Sequence, residues 1–419
     1  MLFALARNYS AMINRLEGRW LALAVFGASL LVTLIFWAIM PASFFDTGST
    51  DYSCCYSVIA RDLVAGRGVD FSISDRGIGF PILIALVILL SSPLGIPLDS
   101  AMMIFSLIGM GMISTLVFML ARLVGSAPRA LIAALVWMSY PFGLWLTKQP
   151  NSEIPFLVCL YAGLYVIGRG VLTQPQRQTS FFVAGILFGL AMLIRPVAIG
   201  IGLLAGLAIL LVNRAQPIRW RVTALLVLLC GNLILLFPWQ VWLYSQTSET
   251  MFTSSYGIAS IRDGLTFAVD PKNYRQTLDL PADVVALMQD ASAARDQLRS
   301  MSDIALFLGQ QVQLRPQAVI ELGIIKAARS WYGTDSQRFE QLILFIQSIY
   351  LMLAVSGVGL TWRNDPAARP LLILFGLVVL YFWGMAILVL PILRIMVPAM
   401  GLLFVFLPAI LPVFKKVVA

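Results

Sequence analysis

The chain has 419 residues, 60% of them apolar and only 12% charged, with a formal charge of +9. A mean hydropathy of +0.89 excludes an ordinary water-soluble domain and makes a lipid bilayer the solvent of this chain. The lack of any histidine excludes serine-histidine-aspartate triads, histidine-ligated metals and imidazole proton shuttles, and Lys and Arg scattered in pairs between apolar runs do not form the basic face of a nucleic-acid binder.

A spanning helix needs about 20 mostly apolar residues, and such runs recur from Trp20 to Val413. The first, at 20–40, is long and has no small-x-small site before Pro41, so it is expected to be a membrane helix rather than a cleaved signal. Further spans are expected near 100–121, 130–147, 154–168, 179–194, 196–212, 222–243, 340–360, 371–389 and 395–413. The fold class is therefore all-α and polytopic, with about ten transmembrane helices. Residues 77–90 are apolar over too short a stretch to span and are expected to lie at the outer surface as a juxtamembrane helix.

Orientation follows from the basic loops. Arg7, Arg15 and Arg19 precede the first span. With the amino terminus inside, the loops carrying Arg122 and Arg129, Arg169 and Arg177, Arg214 with Arg219 and Arg221, Arg363 and Arg369, and finally Lys415 and Lys416 all fall on the cytoplasmic side. Three regions result: a transmembrane module at 1–243 with a first external loop at 41–99, an external subdomain at 244–339, and carboxy-terminal transmembrane helices at 340–419. Amphipathic patches near 281–299 and 316–332, in which Ile320, Leu322, Ile324, Ile325 and Trp331 call for apolar cover, predict that the subdomain is ordered.

Chemistry-bearing residues gather on the outer side. Asp51 and Glu153 suit a general base or an orienting acceptor, while Arg76, Arg195 and Arg394 suit an anion. Arg195 and Arg394 each follow an apolar helix at its outer end, beside a proline-marked break and against the positive-inside trend. A protein carboxylate, a lipid headgroup or the phosphate of a membrane-borne ligand would each supply the negative partner they require. Trp239, Trp242, Tyr244 and Tyr256 read as an interfacial belt or as stacking faces for a sugar. Cys159 and Cys230 fall in helices; Cys54 and Cys55 are adjacent, where a mutual disulfide is expected to be strained, and all four are read as structural. No zinc pattern or Walker A loop is present, so a nucleotide is not the expected energy source.

The order of these motifs resembles the GT-C superfamily of polyprenyl-phosphate-sugar-dependent glycosyltransferases, the group of the protein O-mannosyltransferases and the lipid A aminoarabinose transferase. Tyr56, Ala60, Leu63, Gly66 and Gly68 keep the intervals of the family's first external loop, and "RGIGFP" from Arg76 to Pro81 stands where its Pro-Pro-Gly-Tyr-Pro-like turn falls. Further on, "NSEIPF" resembles a second acidic site at Glu153, and "GLAMLIRP" the Leu-Thr-Arg-Pro-like break at Arg195, with Ile194 in place of Thr. "FPWQVWLYSQTSETMFTSSYG" resembles the entry to the long outer loop and "LRIMVPAM" the late arginine motif at Arg394. The family's acid lies four residues before the Tyr, a place held here by Tyr52; Asp51 is five before, and Asp46 is a further substitute. One helical residue turns a side chain by about 100°, so Asp51 serves only where a local bulge absorbs the shift.

The resemblance implies an inverting membrane glycosyltransferase, moving a sugar from a polyprenyl-phosphate donor to an acceptor hydroxyl on the outer, periplasmic face of the inner membrane. It implies Asp51 as base and Arg76, Arg195 and Arg394 as ligands of the lipid phosphate. Asp75 and Glu153 would position sugar, acceptor or arginines, with Tyr56, Trp239 and Tyr256 on the substrate. The implied partners are the lipid-linked donor, a lipid, glycan or protein acceptor, and membrane lipids. No cofactor is required, and a divalent cation is left open. An O-antigen ligase or polymerase-like enzyme and a secondary transporter are the alternatives, the first weakened by the lack of His and the second by the absence of two related halves.

Overall fold

The computed structural model describes residues 2–45, 50–69, 77–172, 178–212, 216–247, 256–269 and 278–411, with the side chains of 2–17, 247 and 256 outside the description. Among these residues there are helices and turns and no strand. The chain divides into two compact units: one of Met1–Thr253, Ala354–Phe375 and Gly401–Ala419, the other of Ser254–Leu353 and Gly376–Met400.

The first unit holds α1 (Leu2–Ile39), α2 (Ser57–Val64), α3 (Gly79–Ser91), α4 (Leu98–Ala121), α5 (Ala127–Ser139), α6 (Pro141–Trp145), α7 (Glu153–Leu172), α8 (Gln178–Ile194), α9 (Ile201–Val212) and α10 (Ile218–Thr247). The expected span at 130–147 is interrupted: Tyr140 takes an extended backbone ahead of Pro141, which ends α5 and restarts the chain as α6. Pro196 likewise ends α8 and opens a short 3-10 turn before α9. Side chains such as Leu23 (62% exposed), Leu31 (59%) and Phe237 (68%) face outward on the long helices, an arrangement suited to lipid and costly in water.

Helices α8 and α10 pack closely because glycines remove the side chains between them. A Cβ on Gly189 would stand 2.8 Å from the carbonyl oxygen of Asn232, and Gly185 and Gly231 abut Leu228 and Phe182 of the opposite backbone. Contacts that advance along both helices together make α8 and α10 parallel in direction.

The second unit holds α11 (Tyr256–Leu265), α12 (Ala282–Ala293), α13 (Met301–Leu314) and α14 (Pro316–Arg329). They bury a small core that includes Leu265, Phe267, Val284, Leu287, Met288, Ile304, Phe307 and Leu322. The start of α13 is fixed by a capping box, in which Ser300 accepts from the Asp303 N–H and the Asp303 carboxylate accepts from the Ser300 N–H. Only part of the expected apolar set is covered: Leu322 is buried, whereas Ile320 (63%) and Ile324 (62%) are exposed. The inward stripe of α14 is Ala318, Leu322, Lys326 and Arg329, so two charged residues share the buried face with the apolar ones.

Three carboxy-terminal helices, α15 (Glu340–Asn364), α16 (Arg369–Leu388) and α17 (Leu393–Phe404), complete the chain. Six helices among the described residues are long and apolar enough to cross a membrane: Gly18–Ile39, Leu98–Ala121, Glu153–Leu172, Ile218–Gln246, Glu340–Asn364 and Pro366–Leu388. Five apolar helices are shorter, and the ten-span reading takes four of those five, leaving Gly79–Leu94 aside. This is a multi-pass membrane protein.

Candidate active site

The site in the first unit is built where α7 begins and α8 ends. Asn151 starts α7: its Oδ1 accepts the N–H groups of Glu153 (3.1 Å) and Ile154 (3.3 Å), and its Nδ2 donates to the carbonyls of Gln149 (3.1 Å) and Leu146. Glu153, 2% exposed, is thereby held at the first turn of a helix whose dipole favours a carboxylate. At the end of α8, Pro196 forces Arg195 into an extended backbone (φ −139°, ψ 117°). Its Nη1 meets the Glu153 carboxylate in an ion pair and lies 3.4 Å from Ser152 Oγ. The Arg195 side chain keeps 22% exposure, and among the described residues its Nε and Nη2 meet no acceptor. A guanidinium anchored by one nitrogen can present the rest of its fork to an anion.

Residues Gly77 to Pro81 of the "RGIGFP" stretch are laid directly on this corner. A Cβ on Gly79 would stand 2.7 Å from the Ile194 nitrogen, and Gly77 abuts the Leu193 carbonyl, so only glycine lets the backbone come this close. Phe80, fully buried, meets Tyr56 edge-on at 5.1 Å between ring centroids. Tyr56, the loop glycines, Glu153 and Arg195, drawn from three separate sequence motifs, therefore form one contiguous structure.

Asp51 stands at the start of Tyr52–Tyr56, which is a π-helical turn: the N–H of Ser57 donates to the Tyr52 carbonyl, five residues back. In such a turn the fifth residue returns over the first, as the fourth does in an α-helix. The extra residue between Asp51 and Tyr56 is accommodated by this widened turn, the local bulge that the five-residue spacing calls for. Asp51 is exposed. Cys54 and Cys55, within the turn, are bonded to each other.

Two further residues hold this turn and were not singled out from the sequence. Tyr52, 3% exposed, donates from its hydroxyl to Asp99 Oδ1 at 2.8 Å. Burial, then the bond to Asp99, pushes its phenol well above the usual range, so it stays a donor. Asp99 lies in the first turn of α4 just after Pro97, and an acidic residue at that point of a helix was the available signal.

Trp239 and Trp242 stack at the end of α10, with ring centroids 4.8 Å apart and planes 23° apart. Residue 189 of α8 faces residues 232 and 235 of α10. Arg394 is exposed in the first turn of α17 and belongs to the second unit. Asp46, Asp75, Arg76 and the Tyr256 side chain lie outside the described residues. Among the described residues no three His, Cys, Asp or Glu side chains converge as a metal cage would need.

Residues 76–242 match the family of dolichyl-phosphate-mannose-protein mannosyltransferases. That stretch, less than half of the chain, contains Glu153, Arg195 and Trp239 and leaves out Asp51 and Arg394. Solved structures with the same fold include an archaeal oligosaccharyltransferase, AglB from Archaeoglobus fulgidus, in complex with an inhibitory peptide and a dolichol-phosphate (TM-score 0.56, 13% identity, 95% of this chain and 51% of that chain). Another is the Archaeoglobus fulgidus oligosaccharyltransferase tethered to an acceptor peptide containing the NVT sequon (TM-score 0.56, 14% identity, 94% of this chain and 50% of that chain). This chain thus spans about half the length of those enzymes. No curated protein matches the sequence significantly. The fold is shared with those oligosaccharyltransferases.

Proposed function

We propose that this GT-C chain is a membrane glycosyltransferase that moves a sugar, with inversion, from a polyprenyl-phosphate donor to an acceptor hydroxyl at the outer, periplasmic face of the inner membrane. The observation that carries the reading is the corner where Arg195, pinned by buried Glu153 and overlaid by the Gly77–Gly79 backbone, keeps part of its guanidinium open. In this reading the donor phosphate takes those open N–H groups. Asp51 accepts the proton of the acceptor hydroxyl, whose oxygen forms a bond to the sugar C1 as the bond from C1 to the phosphate oxygen breaks. The electron pair leaves on the polyprenyl phosphate, where Arg195, Arg76 and Arg394 stabilise it. Tyr56 and the stacked Trp239 supply apolar faces to sugar or lipid, and Asp75 would orient the hydroxyls. Glu153 acts through Arg195 by fixing the fork.

The testing experiment pairs Asp51→Asn with Asp46→Asn in a purified-protein transfer assay. Asp51→Asn is expected to keep donor binding and lose transfer by about 10²–10⁴-fold, the range for a removed general base, while Asp46→Asn stays active. Exchange of the two results would move the base to Asp46, and full activity in both would sink the reading. Sidedness is tested by cysteine labelling of intact cells: a cysteine placed at Asp290 should react with an impermeant reagent and one at Gln216 should not.

A further inference from the structure

The break between α16 and α17, which carries Arg394 at its far end, is bonded at successive positions by one small cluster of the second unit. Lys326 Nζ donates to the Leu388 carbonyl at 3.3 Å. The Gly264 backbone abuts the Val389 carbonyl, where no Cβ would fit. Arg329 Nη1 donates to the Pro391 carbonyl at 3.2 Å, and the Leu393 N–H donates to the Gly333 carbonyl at 2.9 Å. Lys326, Gly264, Arg329 and Gly333 thus address residues 388, 389, 391 and 393 in turn, and the next residue is Arg394.

The centre of the cluster is Arg329, 3% exposed. Its Nε and Nη2 donate to the Glu340 carboxylate and its Nη2 also to the Thr334 carbonyl at 2.9 Å. Its guanidinium lies over the Phe267 ring, 4.8 Å from the centroid. Glu340 in turn accepts from the Thr334 N–H at 2.8 Å. A bidentate arginine whose remaining nitrogen reaches a third partner fixes three chain segments at once. Burying two charges rarely adds stability over apolar packing of the same volume, so their presence at the break asks for a geometric role.

We infer that the pair of Arg329 and Glu340 is a positioning device for Arg394, setting the direction in which the break presents that guanidinium to an anion. This rests on the reading of Arg394 as a ligand of the lipid phosphate. It gives the external subdomain a part in donor recognition without contact to the donor: whatever moves α14 or the turn at 333–340 moves the arginine.

The test uses full-length protein in detergent and farnesyl phosphate as the probe of the phosphate site, with affinity measured by calorimetry for wild type, Arg329→Gln, Arg329→Lys, Arg394→Ala and the double variant Arg329→Gln/Arg394→Ala. Arg329→Gln is expected to weaken binding about tenfold, and Arg329→Lys, which keeps the charge and some of the bonds, about threefold. In the Arg394→Ala background the Arg329→Gln change should add less than about twofold, since a residue that acts through another has nothing left to act on. A merely structural role would weaken binding by the same factor in both backgrounds, and that result, or wild-type affinity in both Arg329 variants, would overturn the inference. If Arg329→Gln does not fold, Arg329→Lys takes its place in the same cycle. Failure of wild type to bind the probe, or unchanged affinity in Arg394→Ala, would instead remove the phosphate-site reading on which the inference stands.

Discussion

Arg195 and Arg394 both stand beside proline-marked breaks in apolar helices, yet the protein holds the two breaks by different physics. The Arg195 corner is held by close approach: glycines at 77 and 79 let the loop backbone lie on the last turn of α8, and one ion pair to a buried carboxylate sets the side chain. The break before Arg394 is held by directed polar bonds, from Lys326, Arg329 and Gly333 to residues 388–393. Close packing is rigid and tolerates no added atom. A polar clasp tolerates adjustment but depends on charge state and on every partner being present. The first arrangement suits a fixed anion anchor; the second suits a residue whose direction is tuned.

The largest effect should follow from removing the ion pair between Arg195 and Glu153. Arg195→Ala removes the ion-pair partner of a buried carboxylate, and about 3–5 kcal/mol of stability is expected to be lost, whereas Glu153→Gln, which buries no charge in its place, should lose less. Thermal melting of the two variants in detergent compares them, and equal loss would mean that Glu153 is compensated elsewhere.

Gly79→Ala comes next, since its Cβ would meet the Ile194 nitrogen at 2.7 Å; overpacking of this kind costs about 1–3 kcal/mol. Gly376→Ala is the matched control, because nothing lies within 4 Å of its Cβ and a helix-interior alanine is expected to gain up to about 1 kcal/mol. Similar melting points for both would show that the loop yields freely and that the corner is not close-packed.

The clasp should reveal itself through pH. Burial pushes the Lys326 ammonium down from 10.5 to about 7. Above pH 10.5 both folded and unfolded chains hold it neutral and there is no penalty; as pH falls toward 7 only the unfolded chain takes up the proton. Stability should therefore decline by roughly 1 kcal/mol per pH unit from 10.5 to 7 and no further below. Lys326→Met removes that slope, and a melting curve series with the slope intact in the variant would assign it to another group.

The smallest effect expected is that of Tyr52→Phe. It deletes one hydrogen bond to an exposed carboxylate, worth about 1 kcal/mol, and loosens the π-turn that carries Asp51. Hydrogen exchange at residues 51–57 should quicken by about fivefold, and unchanged exchange would mean that the turn is held without Asp99.

Much of this architecture is local and was open to reading from the chain itself. Apolar runs specify membrane helices because solvent transfer depends on composition alone, and Pro141 and Pro196 specify where helices stop because a ring nitrogen has no proton to donate. The residues Glu153, Arg195 and Asp51 could be named for the same reason: an ionisable group in an apolar context is conspicuous wherever the fold puts it. What tertiary structure alone decided is which of these stretches meet. Whether "RGIGFP" lies on "LIRP" depends on glycines whose value is the absence of atoms, and absence has no period. That Tyr52, in the π-turn of residues 52–56, meets Asp99 across 47 residues of sequence is likewise visible only in the fold. The burial of Lys326 and Arg329 on the inner face of α14, with Ile320 and Ile324 left outside, escaped hydropathy because a buried charge is compensated only by partners outside its helix, here Glu340, Leu388 and Pro391.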